Sequence, residues 1–144
     1  MAVRKGDQEQ GKITAIDASR ILIDYTYDRV HDKTLPKADR WLMAKTIWDD
    51  AAAARRYIVV SNSIRVESKS EAEERMLMEK LAIGRLDSLA VSLDTLHIKK
   101  IISDDRMDYW SGLITDAQNL LKARMKATRP AYKKFLSEPD NDGE

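Results

Sequence analysis

MLMEKLAIGRLDSLAVSLDTL, residues 76–96, decides the fold class. Its apolar and small residues Met78, Ala82, Leu86, Leu89, Ala90, Leu93 and Leu96 recur every three or four positions, which gathers them on one side of a helix turning 3.6 residues at a time. A half-buried strand would alternate with period two, and no run of β-branched residues in the chain does so. Just upstream, Ser70-Glu71-Ala72-Glu73 has the S-x-x-E spacing in which a hydroxyl and a carboxylate satisfy a helix's first amides reciprocally. The pattern predicts a helix from Ser70 to about Lys100.

The same period continues on both sides. Ile16, Ala18, Leu22, Ile23, Tyr25 and Val30 predict a first helix from Ile13 or Thr14 to Asp32. Lys33-Thr34-Leu35-Pro36 breaks it, and Pro36 suits the entry to the next helix. That second helix is expected over Lys37 to Asn62, with Trp41, Ala44, Ile47, Trp48, Ala51, Ile58 and Val59 on one side. Lys45, Asp49 and Arg56 face away, while Arg55 and Asn62 interrupt the apolar stripe. Ser103 is the expected N-cap of a fourth helix, Asp104 and Asp105 suit its dipole, and Ile102 can staple to Met107 across the cap. Met107, Trp110, Leu113, Ile114, Ala117, Leu121 and Met125 face inward. Pro130 disfavours helical geometry in the residue before it, which predicts an end near Arg129. Four amphipathic helices with short links make an all-α, antiparallel up-down-up-down four-helix bundle. The expected organisation is a flexible N-terminal arm over 1–12, the bundle over 13–129, and a C-terminal tail over 130–144 that is basic and then acidic.

With 144 residues, one domain able to bury about 70% of its unfolded surface is the expectation. The absence of cysteine excludes disulfides, thiolate metal sites and cysteine nucleophiles. The apolar runs are far shorter than the ~20 residues of a membrane span, and Met1–Asp7 lacks the apolar stretch of a signal peptide. A cytoplasmic protein away from membranes is expected. Twenty-five basic and 24 acidic residues leave a net charge of only +1. The distribution is uneven: 117–137 holds Lys122, Arg124, Lys126, Arg129, Lys133 and Lys134 with no acid, and Glu138, Asp140, Asp142 and Glu144 follow.

Leu35-Pro36-Lys37-Ala38-Asp39-Arg40-Trp41 has the form hydrophobic, proline, lysine, small, acid, arginine, aromatic. It opens a long helix ending in Val60-Ser61-Asn62, followed by the leucine-rich third helix, Ile102-Ser103, and a fourth helix with Tyr109 near its start. This order, over about residues 16–127, resembles the four-helix-bundle family of the diversity-generating retroelement accessory variability determinant (Avd) and the proteins of ribosomal RNA intervening sequences. The resemblance implies a non-enzymatic accessory protein, with no cofactor, that assembles as a homo-oligomer (a ring-like homopentamer). It also implies binding to a reverse transcriptase and to template RNA or cDNA in support of mutagenic reverse transcription. Avd proteins are typically strongly basic, and this chain departs from them in being near neutral. An intervening-sequence-type bundle with another protein or RNA partner, and a small helical enzyme of the chorismate-mutase kind, are the alternatives.

Lys122, Lys126, Arg129 and Lys133 step by four, three and four, so they line one solvent face if the helix persists beyond Pro130. With Arg124, Lys134 and the outward Arg56 they are the candidate nucleic-acid contacts, because clustered cations bind phosphates by releasing counterions. The alternative is a solvated helix end whose cations complement the dipole, with the acidic tail as a local competitor. Lys37 and Arg40 place positive charge where the helix dipole opposes it, which marks them as candidate partner contacts. Arg55 is expected to form a buried pair with Glu79. His97 stands three residues after Asp94, but no second such element is present to build a carboxylate-bridged metal site, so it is expected to cap a helix end, and His31 lies on a polar side. Trp41, Trp48 and Trp110 are expected to pack in the core or a subunit interface. No phosphate-binding, dinucleotide, zinc-protease or nucleophile-elbow motif occurs.

Overall fold

The computed structural model describes residues 13–139, apart from the side chains of Asp39 and Trp41. The expected arm over 1–12, the packing of Trp41, and Asp140, Asp142 and Glu144 lie outside the described residues. Four helices follow one another: α1 (Ala15–His31), α2 (Lys37–Ser63), α3 (Lys69–Ile98) and α4 (Asp104–Leu136). Each packs on its neighbour in sequence, and α4 returns to α1 to close the square. The described residues form an antiparallel four-helix bundle without strands.

Local chemistry explains where each helix starts. Thr14 caps α1: its hydroxyl accepts from Asp17 N at 3.2 Å, and Asp17 Oδ2 accepts from Thr14 N at 3.0 Å. Ser103 caps α4 as expected, accepting from Arg106 N. The cap of α3 is a correction. It is Ser68, whose hydroxyl accepts from Glu71 N, two residues before the expected Ser70–Glu73 pair. Glu71 Oε1 also takes the N–H of Glu67, so two donors of the entering chain converge on one carboxylate. The S-x-x-E spacing occurs once with Ser68 and once with Ser70; the earlier one wins because it starts the helix sooner.

The links are tied down. Between α1 and α2, Asp32 Oδ1 accepts from Thr34 N at 2.7 Å, and Leu35 is fully buried. Between α3 and α4, Ile101 N donates to Leu96 O at 2.8 Å and Lys100 N to His97 O at 2.9 Å. These two bonds are the Schellman pattern that closes a helix, and they force Lys100 into the left-handed region at φ 60°. Ile102 is buried and Met107 packs on the same cluster, which is the expected staple.

The core is built by Leu22 of α1, Ile47, Ala51 and Ala54 of α2, Leu86, Leu89, Leu93 and Leu96 of α3, and Trp110, Ile114 and Ala117 of α4. A smaller cluster of Ala15, Ile58, Ala82 and Leu121 continues it. Each fully buried leucine contributes about 1.5–3 kcal/mol by leaving water. Val59, assigned to the apolar side from the sequence, is 37% exposed.

The expected end of α4 near Arg129, and with it the 129/130 boundary between bundle and tail, is also corrected. The helix runs through Pro130 to Leu136. Proline removes one backbone donor and crowds the carbonyl four residues earlier, here that of Lys126. Pro130 and Lys126 are exposed, so water can take that carbonyl. Packing supplies the compensation: the Arg75 guanidinium lies 5.7 Å from the Tyr132 ring centre, holding the segment beyond the proline against α3.

Candidate nucleic-acid interface

The persistence of α4 puts Lys122, Lys126, Arg129 and Lys133 on one continuous helix, all exposed. From the first to the last the strip spans about 16 Å at ~1.5 Å per residue. Lys122, Met125, Lys126 and Arg129 line a shallow groove of about 240 Å³. Such a surface offers several cations to a phosphate backbone with no carboxylate from 117 to 137 to compete. Lys134 is exposed beside them, with its ammonium 4.8 Å from the Phe135 ring centre. Arg56 is exposed on α2, diagonally across the bundle from α4.

Arg124 does not belong to this surface. Its Nε donates to Glu79 Oε2 at 3.3 Å, and its terminal nitrogens donate to Ser61 Oγ at 2.6 Å and to Asn62 Oδ1 at 3.3 Å. Burial lowers the guanidinium's pKa from its ordinary value, against which Glu79 raises it. Glu79 is 1% exposed and also faces Arg75, whose Nε lies 3.9 Å away. The cluster welds α4 to α2 and α3 at this end of the bundle. Asn62, read as interrupting the apolar stripe, is exposed and accepts from Arg124 there.

The expected Arg55–Glu79 pair does not form. Arg55 turns toward α1 and donates to Ile16 O and Ser19 Oγ, each at 3.2 Å. A hairpin register fixes the level at which two residues sit, but α2 has α1 on one side and α3 on the other. Arg55 takes the α1 side. Arg55 and Glu79 are therefore held by different partners.

Arg40 is half-buried and lines an open depression together with Lys37 and Lys45. Its guanidinium donates to Asp32 O and Leu35 O, each at 3.2 Å, clamping the α1–α2 link. Lys37 is exposed at the start of α2, beside Lys45 in that depression. His97 Nε2 lies 2.6 Å from Asp104 Oδ1, joining the end of α3 to the start of α4, and His31 Nδ1 lies 2.8 Å from Tyr27 O. No three metal-ligating side chains converge among the described residues.

Two polar features escaped the sequence reading. Asp50 is buried on α2 and accepts from Arg85 at 3.1 Å and from Ser88 Oγ at 2.7 Å, bridging α2 to α3. Trp110 is fully buried, and its Nε1 donates to Thr26 Oγ1 at 3.1 Å. The signal for the first is position: Asp50 falls three residues after Ile47 and four before Ala54, inside the buried stripe.

Within the described residues, no helix is long and apolar enough to cross a membrane. Comparisons with protein-family models, curated proteins and solved structures gave no match to this chain. The class that fold and site define is a four-helix bundle with a basic strip on its last helix.

Proposed function

We propose that this chain is a non-enzymatic accessory bundle that holds RNA or cDNA by its phosphates, alongside a reverse transcriptase, in a diversity-generating retroelement. The observation that carries the nucleic-acid part is the exposed row Lys122, Lys126, Arg129 and Lys133 on one unbroken helix. Its rigidity matters as much as its charge. The Glu79–Arg124 cluster lies at the level of the strip, so the cations are presented on a fixed backbone. The polymerase part rests on the likeness of Leu35–Trp41 and of the helix order to Avd proteins. Exposed Lys37 and half-buried Arg40, which line one open depression, are the candidate contacts at that element. The net charge of +1 favours the second reading, an intervening-sequence-type bundle with another protein or RNA partner.

RNA binding followed by fluorescence anisotropy across a salt series tests the surface. Affinity should fall steeply with salt, and Lys122→Glu, Lys126→Glu and Arg129→Glu together should weaken it and flatten the slope. Unchanged affinity in that triple variant means the strip is not the interface. A reverse-transcriptase gene beside this one, with a template and variable repeat pair, separates the retroelement reading from the second.

A further inference from the structure

The described residues leave two apolar surfaces uncovered, one convex and one concave. The convex one is a row on α3 that faces nearly away from the core, on which Leu77, Leu81, Gly84, Val91 and Ile98 recur at helical spacing. Its large side chains Leu77, Leu81, Val91 and Ile98 are 56%, 42%, 67% and 71% exposed. The hydroxyls among them are already used: Ser88 Oγ donates to Asp50, and Thr95 Oγ1 donates to Val91 O. The concave surface is a groove of about 380 Å³ between α1 and α4. Ile13, Ile21, Leu113 and Leu120 line it, with exposed Asp116 on its rim.

Three relations match the two surfaces. The first is level. Glu79 meets Arg124, and Asp87 accepts from Gln118 Nε2 at 2.6 Å, so the middle of α3 runs beside the part of α4 that lines the groove. A copy set alongside without sliding along the bundle axis brings Leu81 and Val91 to the level of the groove. The second is charge. Arg85 and Asp87, which flank the row at that level, are held at home by Asp50 and Gln118, leaving exposed Lys80. The groove side is acidic: Asp116, and Asp24 next to Ile21 by one turn, are exposed and make no ion pair among the described residues. The third is bulk. Gly84 lies in the row and Gly112 one turn from Asp116, and a Cβ at either would meet no atom within 4 Å. Glycine weakens a helix interior relative to alanine, so two glycines without an internal reason, one on each surface, suit the close approach of a second backbone.

We propose that the α3 row of one copy seats in the α1–α4 groove of the next, as a head-to-tail seam between two different faces of the same chain. Lys80 then approaches the acidic side of the groove, and the row's large side chains fill it. Such a seam repeats from copy to copy, and it closes into a ring where successive copies turn without rising. The shared level removes the rise. The turn follows because α3 lies diagonally across from α1, which puts the row and the groove on sides that are not directly opposite. The seam is compatible with the ring-like assembly that the resemblance implies, and it does not rest on the nucleic-acid reading, since Lys122, Lys126 and Arg129 belong to neither surface.

Light scattering and sedimentation of the full chain test this with two complementary variants. Leu81→Glu with Val91→Glu spoils the row and leaves the groove, while Ile13→Glu with Ile21→Glu spoils the groove and leaves the row. The parent should show a mass above two chains, and each variant a monomer of unchanged helicity. Mixed in equal amounts at high concentration, the two variants should form a dimer and go no further, because one intact row then meets one intact groove. Gly84→Leu, which nothing in its own chain opposes, should raise the Kd of assembly by about tenfold or more, and Lys80→Glu should weaken assembly several-fold. A parent that is monomeric at every concentration overturns the proposal, as does a mixture that stays monomeric. A groove variant that keeps the parental mass also overturns it and leaves the groove to another occupant. Lys122→Glu with Lys126→Glu and Arg129→Glu should keep the parental mass, so loss of RNA binding and loss of the seam are read apart.

Discussion

Arg124 of α4 and Glu79 of α3, 45 residues apart in the chain, share a buried ion pair that organises the end of the bundle carrying the basic strip. The Glu79 carboxylate is enclosed and faces two guanidinium groups, those of Arg75 and Arg124. Removing it leaves two cations with little water and no counter-charge. Glu79→Gln should therefore destabilise the fold by about 3 kcal/mol, at the lower end for a broken buried pair because both arginines reach some solvent. Replacing Glu79 and Arg124 together by methionine should cost less than the sum of the single changes. Urea denaturation of the three variants measures this, and strict additivity would remove the pair from the account.

Trp110 and Thr26 supply a second check on the interior. The indole N–H has one acceptor, the Thr26 hydroxyl, and both residues are fully buried. Thr26→Val keeps the shape and removes the acceptor. An orphaned donor costs about 1–3 kcal/mol, so the denaturation midpoint should drop while the m-value stays constant. Thr26→Ser, which keeps the acceptor, should lose much less.

Lys100 carries a backbone cost that glycine would relieve. It holds φ at 60° to close the Schellman turn between α3 and α4. A side chain in that region costs roughly 1–2 kcal/mol that glycine avoids, although glycine gives some back through the unfolded chain. Lys100→Gly should raise stability by up to about 1 kcal/mol. Lys100→Val, whose branched side chain tolerates positive φ poorly, should lower it.

The bundle was legible because apolar spacing reports the face of a helix directly. Leu86, Leu89, Leu93 and Leu96 are buried where the spacing puts them. What the spacing hid was polar residues occupying core positions. Arg124 continues the row Trp110, Ile114, Ala117, Leu121 at the next step of three, and Arg75 with Glu79 continues the row of α3. The charge of Arg124 and Arg75 suggested solvent, while their position placed them inside, and pairing with Glu79, itself expected inside, resolved the conflict. Arg55 failed differently: its level on the hairpin was readable, but the choice between two neighbouring helices was not. The end of α4 was misjudged because the effect of Pro130 is local, whereas the contact of Arg75 with Tyr132 that offsets it comes from another helix. Of the candidate surface, the shared exposed face of Lys122, Lys126, Arg129 and Lys133 was legible, and the burial of Arg124 was not.

Stability should fall on the acid side through two hydrogen-bonded carboxylates. The Thr14 backbone N–H and then its hydroxyl hold the Asp17 carboxyl below its ordinary pKa. Asp32 is pushed up by desolvation, but hydrogen bonds from the Thr34 hydroxyl and N–H, with Arg29 and Arg106, outweigh that and lower it. A pKa lowered by folding contributes stability that is complete above the unfolded value near ~4 and is lost as pH falls through the folded value. Asp17→Asn and Asp32→Asn should therefore be less stable than the parent at neutral pH and converge on it in strong acid. Urea midpoints measured from neutral to strongly acidic pH check the sign; a gap that widens in acid would contradict it.

Charge reversal at Arg124 and at Lys126 should separate structure from binding, although the two residues are one short step apart. Lys126 is exposed and borders the groove with Lys122 and Arg129. Lys126→Glu should leave the denaturation midpoint within about 0.5 kcal/mol, as surface changes generally do. It should also weaken RNA binding and flatten the salt dependence, by about 0.7 in log–log slope for each single-strand phosphate that is no longer neutralised. Arg124→Glu instead places a second carboxylate against buried Glu79 and strips donors from Ser61 and Asn62. It should unfold this end of the bundle, with loss of helicity and cooperativity before any binding is measured. A milder Arg124→Lys, which keeps the charge but loses the forked geometry, should lower stability with the RNA salt slope unchanged. Should Arg124→Lys flatten that slope while the fold stays intact, Arg124 contacts nucleic acid after all, and the division between buried clamp and exposed strip is drawn in the wrong place.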